Sequence, residues 1–231
     1  MCTLIRIEWS RNRELVDTVI KAFIFDLDSC LSAANEVGDQ LFEPAFDAIR
    51  KTNRGAVSEE TLKKAFSDCW RFPFNDVAHK YGFTDEMTKA GFAAFAEIEV
   101  TQPMHGYGDL NVLRELPQQF FLVTSGFRRL QESKINALGI RPRFKEIRID
   151  AIDEPAQKGK ARHFEEILQT HSFNSNEVMV VGDNPDSEIA AGNHLGMKTV
   201  QVLRPGVSRE DNASHCINSL NELKELMSST G

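Results

Sequence analysis

The fold is decided by one stretch of the chain, Ala22-Phe-Ile-Phe-Asp-Leu-Asp-Ser-Cys-Leu31. Four apolar residues precede two aspartates, which is typical of a buried strand with a charged end. A strand that is apolar on both faces indicates a parallel sheet covered by helices. Side chains alternate along an extended backbone, so Asp26 and Asp28 point to the same side. We therefore predict two carboxylates at the carboxyl edge of a sheet, where open α/β folds bind ligands.

The composition of the 231 residues is that of a globular protein, since 41% are hydrophobic and 26% are charged. A net charge of −7 argues against a nucleic-acid-binding surface. The sequence contains no run of about 18 apolar residues, so we predict no membrane span. The four cysteines form no Cys-x-x-Cys pair, so we predict neither a zinc site nor a disulfide framework and expect a cytoplasmic location. Residues 1–18 lack the apolar core of a signal peptide and are interpreted as an N-terminal arm.

Two kinds of pattern follow the first strand. Helix-capping signals predict successive helices up to about residue 103, without a strand-like run among them. From residue 105 onward, helices alternate with predicted strands at 119–124, 144–149, 178–181 and 199–203. This alternation predicts an α/β fold, a Rossmann-like parallel sheet flanked by helices and joined by right-handed crossovers. The predicted core domain comprises residues 1–32 and 105–231, and residues 33–104 form an inserted α-helical cap domain.

Polar residues also follow the other predicted strands. Beyond Asp26 and Asp28, the candidate site residues are two hydroxyl residues, one lysine and three acids: Thr124, Ser125, Lys158, Asp183, Asp186 and Glu188. Singly, each also fits a turn, a helix cap or a solvated side chain. Together they bring several carboxylates and one cation to one sheet edge, where close carboxylates repel each other unless a hard cation lies among them. Since Mg²⁺ prefers carboxylate, water and phosphate oxygens, the sequence predicts a site for Mg²⁺ and a phosphoryl group.

In order and spacing, four segments resemble the motifs of the haloacid dehalogenase-like (HAD) hydrolase superfamily: Phe25-Asp-Leu-Asp-Ser-Cys-Leu, Val123-Thr-Ser-Gly, Lys158 and Gly182-Asp-Asn-Pro-Asp-Ser-Glu. The resemblance extends from residue 22 to about residue 226. The helical block is similar to the cap that many members insert after the first motif. The resemblance implies a phosphatase, that is, a phosphoric monoester hydrolase with an aspartyl-phosphate intermediate.

The resemblance also implies a role for the acidic residues. Asp26 is expected to be the nucleophile, and Asp28 the general acid that protonates the leaving oxygen and then activates water. The implied Mg²⁺ ligands are Asp26, the main-chain carbonyl of Asp28, and Asp183. Either Asp186 or Glu188 is expected to orient metal-bound water.

The phosphoryl oxygens are expected to contact Thr124, the N–H of Ser125, and Lys158. Lys160 competes with Lys158 for this role. Lys158 is preferred because it lies at the family's usual distance before the helix that contains Phe164.

The predicted function is Mg²⁺-dependent hydrolysis of a small phosphorylated metabolite, with phosphoglycolate, a nucleoside 5′-monophosphate and a sugar phosphate all open as substrates. Asp28 argues against a dehalogenase, since the dehalogenases of the superfamily lack an acid at that position. The alternatives are a phosphosugar mutase of the same superfamily and a non-catalytic protein that holds phosphoaspartate as a signal or a ligand. The oligomeric state stays open. Cap candidates for contacting the leaving group are Arg54, Trp70, Arg71, His79 and Lys80.

Overall fold

The computed structural model describes residues 19–155 and 157–228, so the predicted N-terminal arm lies outside the described residues. Within these residues, six strands form one parallel sheet in the order β3-β2-β1-β4-β5-β6. The strands are β1 (Ala22–Phe25), β2 (Gln119–Gly126), β3 (Glu146–Ala151), β4 (Val178–Gly182), β5 (Lys198–Val202) and β6 (His215–Ile217). The predicted α/β fold with a Rossmann-like parallel sheet is confirmed, and β6 is a strand that the sequence pattern did not predict.

The strand β1 lies in the middle of the sheet, between β2 and β4. Its side chains alternate between two buried apolar clusters, with Phe23 and Phe25 in one cluster and Ala22 and Ile24 in the other. The cluster around Phe23 is covered by α5 (Val112–Glu115), α6 (Arg128–Ala137) and α9 (Leu223–Ser228). The cluster around Ile24 is covered by α7 (Lys160–His171) and α8 (Ala190–His194). A run that is apolar on both faces is what a strand between two helical layers requires.

A block of helices separates β1 from β2 along the chain. After a 3₁₀ turn at Asp39–Phe42, it contains α1 (Glu43–Thr52), α2 (Glu59–Asp68), α3 (Phe74–Lys80) and α4 (Asp85–Ala96). The side-chain oxygens of Ser58 and Thr84 accept N–H groups in the first turns of α2 and α4, as the capping signals predict. The block has its own apolar cluster, which Phe127 and Leu130 join from the α6 side. The helical block therefore packs beside the carboxyl edge of the sheet, and the predicted domain boundaries at 33 and 104 stay a prediction.

In the part of the chain that the structure describes, no helix is both long and apolar enough to cross a membrane.

Candidate active site

Three carboxylates meet where β1 and β4 end side by side. Asp26 directly follows β1, and its N–H donates to the carbonyl of Val181 in β4 at 2.9 Å. Asp183 follows β4, and Glu188 returns from the next turn, so that one oxygen of each acid lies within 4.8 Å of the other two. The strand order reverses between β1 and β4, which is where open α/β sheets leave a crevice for ligands. The structure thus brings the predicted residues Asp26 and Asp183 together at such a crevice.

The turn after β4 decides which of the two further acids reaches this cluster. A single π-helical turn, Pro185–Ile189, carries Glu188 back beneath the strand end, where it is buried and accepts the N–H of Asn184. A Cβ atom on Gly182 would lie 2.3 Å from Oε1 of Glu188, so only glycine leaves room for the carboxylate. Asp186 lies on the same turn and is exposed at the wall of the cleft. Of the two candidates, the structure places only Glu188 beside Asp26 and Asp183.

The lysine that contacts the carboxylates is Lys160, whereas the sequence-based preference was Lys158. The ammonium of Lys160 donates to Oδ1 of Asp26 and to Oε2 of Glu188, both at 2.8 Å, and its side chain is only 8% exposed. The side chain of Lys158 is 37% exposed and pairs with Glu166 at 2.8 Å instead. Gly159 causes the difference, because its φ of +79° turns the chain so that α7 begins with Lys160 directed at the site.

The loop before α7 is fixed by Asp150, an acid near the end of β3. One oxygen of Asp150 accepts the N–H groups of Lys158 at 2.9 Å and Gly159 at 3.1 Å. The same oxygen accepts a hydrogen bond from Nε2 of His163, which lies in the first turn of α7, at 3.2 Å. Asp150 therefore holds the backbone that presents Lys160.

Crowding of the acids changes their proton affinity. Burial raises the pKa of Asp26 to about 7 even though the adjacent Lys160 opposes the shift, and Glu188 raises it further. Burial, together with the charges of Asp26 and Glu188, raises the pKa of Asp183 to about 8. Burial alone would lower the pKa of Lys160, but its two carboxylate partners outweigh burial and raise it. The site therefore carries more negative charge than its lysine neutralises.

The donor set fits a hard divalent cation. A Mg²⁺ ion holds its oxygen ligands at about 2.1 Å, which places opposite ligands about 4.2 Å apart. One oxygen each of Asp26, Asp183 and Glu188 lies within 4.8 Å of the other two, so a single ion could contact all three after a small adjustment of the side chains. Glu188 is thus a ligand candidate in addition to the predicted set.

The other predicted residues reach the same sheet edge. Phe25 pairs with Leu122 in the neighbouring strand, so β1 and β2 end together and Thr124 and Ser125 line the same cleft as Asp26. Asp28 also lines the cleft, and its carboxylate accepts hydrogen bonds from side chains of α6.

A buried arginine holds the loop that follows Asp28. The guanidinium of Arg204 donates to the carbonyl of Cys30 at 2.7 and 3.1 Å and forms a two-pronged pair with Asp109 at 2.8 and 3.0 Å. Burial alone would raise the pKa of Asp109, but hydrogen bonds from Arg204 and from the N–H of Leu220 outweigh burial and lower it. This ion pair ties the loop after β1 to the chain segments that precede β2 and follow β5.

A cleft of about 860 Å³ lies between the helical block and the sheet edge. The block lines its side with aromatic rings, including Trp70 stacked on Phe42 with their centroids 4.0 Å apart. Arg71 also lines the cleft, and no carboxylate of the described residues lies within salt-bridge distance of it. The other cationic cap candidates do not line the cleft: Arg54 pairs with Glu86, Lys80 pairs with Asp68, and His79 lies elsewhere.

Comparison with models of protein families shows which family the chain belongs to. A model of the haloacid dehalogenase-like hydrolase family matches residues 20–196, which include every motif residue described above. The chain belongs to this family. The predicted membership of the HAD superfamily is thereby confirmed.

Two curated relatives of this HAD-like hydrolase are glyceraldehyde 3-phosphate phosphatases. The protein from Methanocaldococcus jannaschii is 24% identical over 228 residues, which cover 90% of this chain and 97% of the relative. The protein from Methanopyrus kandleri is 26% identical over 200 residues, which cover 80% and 85% of the two chains. Both names agree with the predicted class, a phosphoric monoester hydrolase.

Solved structures share the fold of this HAD-like hydrolase at low sequence identity. A HAD phosphatase from Thermococcus onnurineus has a TM-score of 0.63 and 19% identity, with 90% of this chain and 98% of that chain covered. A 2-haloacid dehalogenase from Pseudomonas syringae has a TM-score of 0.55 and 17% identity, with 92% and 100% covered. Because the fold serves both chemistries, the fold alone does not choose between them.

Sequence reasoning missed several residues of the site. Asp150 could have been predicted from the sequence, because it is an acid near the end of a strand, as Asp26 is. Arg204 also follows a strand, directly after the predicted strand 199–203. Nothing in the sequence marks Gln131 and Lys134 as site residues, because polar residues on a helix are usually solvated.

Proposed function

We propose that the protein is a Mg²⁺-dependent phosphatase that hydrolyses a small phosphomonoester through an aspartyl phosphate on Asp26. The observation that carries the proposal is the contact of Asp26 with Lys160 inside a cluster of acids at the floor of the cleft. Phosphoryl transfer needs positioning and charge neutralisation above all, and this arrangement supplies both. Asp26, Asp183 and the main-chain carbonyl of Asp28 would hold Mg²⁺, which neutralises charge on the phosphoryl oxygens.

In the first half-reaction, an oxygen of Asp26 forms a bond to phosphorus while the ester bond to the leaving oxygen breaks. Asp28 gives its proton to that oxygen, so the product leaves as an alcohol. Lys160, the hydroxyl of Thr124 and the N–H of Ser125 hold the phosphoryl oxygens. The contact with Lys160 favours the ionised form of Asp26, which the attack requires.

In the second half-reaction, a water molecule attacks phosphorus and gives its proton to Asp28. The bond between Asp26 and phosphorus breaks, and inorganic phosphate is released. Asp28 is then protonated again and ready for the next ester, so each residue returns to its starting state.

The substrate that we propose is a phosphate ester of a small polyol or sugar, with glyceraldehyde 3-phosphate as the first compound to test. The two curated relatives carry that activity in their names and match nearly the whole chain. The cleft volume lies in the range of small-molecule sites, about 300–1,000 Å³. Arg71 is the cap cation that contacts the leaving group from the opposite wall.

The test is release of inorganic phosphate from a panel of phosphomonoesters, with Mg²⁺ and with EDTA. The panel contains glyceraldehyde 3-phosphate, phosphoglycolate, a nucleoside 5′-monophosphate and glucose phosphates. Asp26→Asn is the test variant, and Asp76→Asn is the matched control because Asp76 is an exposed acid of α3 that does not line the cleft. We expect Mg²⁺-dependent release that Asp26→Asn abolishes and Asp76→Asn retains. Activity in Asp26→Asn, or interconversion of glucose phosphates without release, would overturn the proposal.

A further inference from the structure

Asp28 is held by two side chains of α6 that the proposed reaction steps do not use. Nζ of Lys134 donates to Oδ1 of Asp28 at 2.8 Å, and Nε2 of Gln131 donates to Oδ2 at 3.0 Å. Residues three apart on a helix lie on the same face, so both donors approach the carboxylate from one direction. Each oxygen of Asp28 keeps a second lone pair, which leaves the carboxylate able to face the cleft.

Gln131 also connects Asp28 to the segment that is expected to bind phosphate. The same Nε2 donates to the carbonyl of Ser125 at 3.0 Å. A Cβ atom on Gly126 would lie 2.6 Å from this nitrogen, and Gly126 has a φ of +147°, so the contact depends on glycine at that position. The general-acid candidate and the β2 end are therefore fixed to one another through a single amide group.

The contacts of Lys134 and Gln131 with Asp28 are not the arrangement that would stabilise the fold most. The side chain of Lys134 is only 4% exposed, and a buried ion pair is often no more stabilising than well-packed apolar residues. The amide oxygen of Gln131 is buried and has no hydrogen-bond partner among the described groups. An unpaired buried acceptor is unfavourable, so stability alone does not explain this pair of residues.

Repulsion between the neighbouring acids Asp26 and Asp28 explains why a positively charged side chain is needed at Lys134. Asp26 and Asp28 line the same cleft, where their like charges repel each other. We propose that Lys134, together with Gln131, is a positioning residue that holds the Asp28 carboxylate at the leaving oxygen through both half-reactions. The assignment rests on the proposed function.

Two substrates with different leaving groups test the positioning role in Lys134→Met. An alkyl phosphate needs a proton on its leaving oxygen, whereas p-nitrophenyl phosphate does not, because p-nitrophenolate is stable as an anion. General acid catalysis contributes about 100-fold or more, so we expect a loss of about 100-fold in kcat for the alkyl ester. The first turnover of p-nitrophenyl phosphate should stay close to the wild-type rate. Its steady-state rate should fall, giving a burst of p-nitrophenolate, because Asp28 also activates the water.

Lys145→Met is the matched control, since Lys145 is an exposed lysine at the start of β3, at the opposite edge of the sheet. It should keep wild-type kinetics with both esters. In an Asp28→Asn background, Lys134→Met should cause no further loss. Equal losses with both esters and no burst, or a full additional loss in the Asp28→Asn background, would overturn the positioning role.

Unfolding by urea separates this inference from the proposed function. If the wild-type protein hydrolyses none of the esters, the proposed function fails, but the contact itself is still measurable. Lys134→Met should lower the urea midpoint clearly in the wild-type background, because it leaves the Asp28 carboxylate unpaired. In Asp28→Asn, the same change should lower it much less. Equal shifts in both backgrounds would show that Lys134 does not hold Asp28 and would reject the inference.

Discussion

The two lysines before and at the start of α7 provide a stringent test of the site, because they are two positions apart and differ in environment. Lys160→Met removes an ammonium that contacts Asp26 and Glu188 at 2.8 Å, and methionine keeps the length of the chain. Lys158→Met removes an ammonium whose ion pair among the described residues is with Glu166. The pair of variants therefore compares a buried contact with an exposed one in the same segment.

The expected loss follows from burial. Removing one partner of a buried ion pair costs about 3–5 kcal/mol, because the remaining charge is left without compensation. The Asp26 carboxyl already has a raised pKa of about 7, and without Lys160 it rises further. A carboxyl group whose pKa is raised in the folded state destabilises the protein as the pH rises above its pKa in the unfolded chain, which is about 4 for Asp. The loss of stability in Lys160→Met should therefore be largest near pH 8 and small near pH 5. For turnover, loss of one donor to the transition state typically costs about 10²–10³-fold in kcat.

The assays are urea unfolding in EDTA at pH 5 and pH 8, and phosphate release with saturating Mg²⁺. Lys160→Met should lose stability mainly at pH 8 and lose turnover at any pH. Lys158→Met should match the wild type in both assays, since exposed ion pairs contribute little. Loss of turnover in Lys158→Met with retention in Lys160→Met would refute the reasoning and restore the sequence-based preference.

Other perturbations test the metal site, the cleft and the buried ion pair. In EDTA, the free energy of unfolding should fall between about pH 4 and pH 8, because Asp26 and Asp183 have raised pKa values and lose their protons there. Mg²⁺ should then raise the melting temperature more at pH 8 than at pH 5, and an equal shift at both would contradict this. Arg71→Ala should raise KM about 10-fold with little change in kcat, in contrast to Arg54→Ala outside the cleft, and an unchanged KM would exclude a substrate contact. Asp109→Asn should cost about 3 kcal/mol at pH 7 by urea unfolding. The lowered pKa of Asp109 makes its contribution present above about pH 4 and lost below it, so variant and wild type should converge in acid, and a constant difference would contradict the assignment.

Features that depend on local sequence were predictable. The apolar run before Asp26 defines a buried strand by itself, and Ser58 and Thr84 mark helix starts because their caps involve only neighbouring residues. The meeting of Asp26 and Asp183 follows from one further rule, that parallel strands end at the same edge of a sheet.

Features that depend on a single backbone angle or on distant partners were not predictable. The choice between Lys158 and Lys160 depends on the positive φ of Gly159, which the sequence permits but does not require. The strand β6 has only three residues, His215–Ile217, and is defined by its pairing with β5. The contact of Lys134 with Asp28 joins residues 106 positions apart, so no local pattern contains it.

The balance of charge explains why this arrangement suits a divalent cation better than another lysine. Asp26 and Glu188 share the ammonium of Lys160. Among the described residues, no cation lies within salt-bridge distance of Asp183, and burial with the neighbouring acids raises its pKa to about 8. Three carboxylates and one lysine leave two negative charges in excess, which either protons or one divalent cation can balance. Protonation would disable the nucleophile, whereas a divalent cation neutralises the excess and leaves Asp26 ionised, so the proposed activity should require the metal.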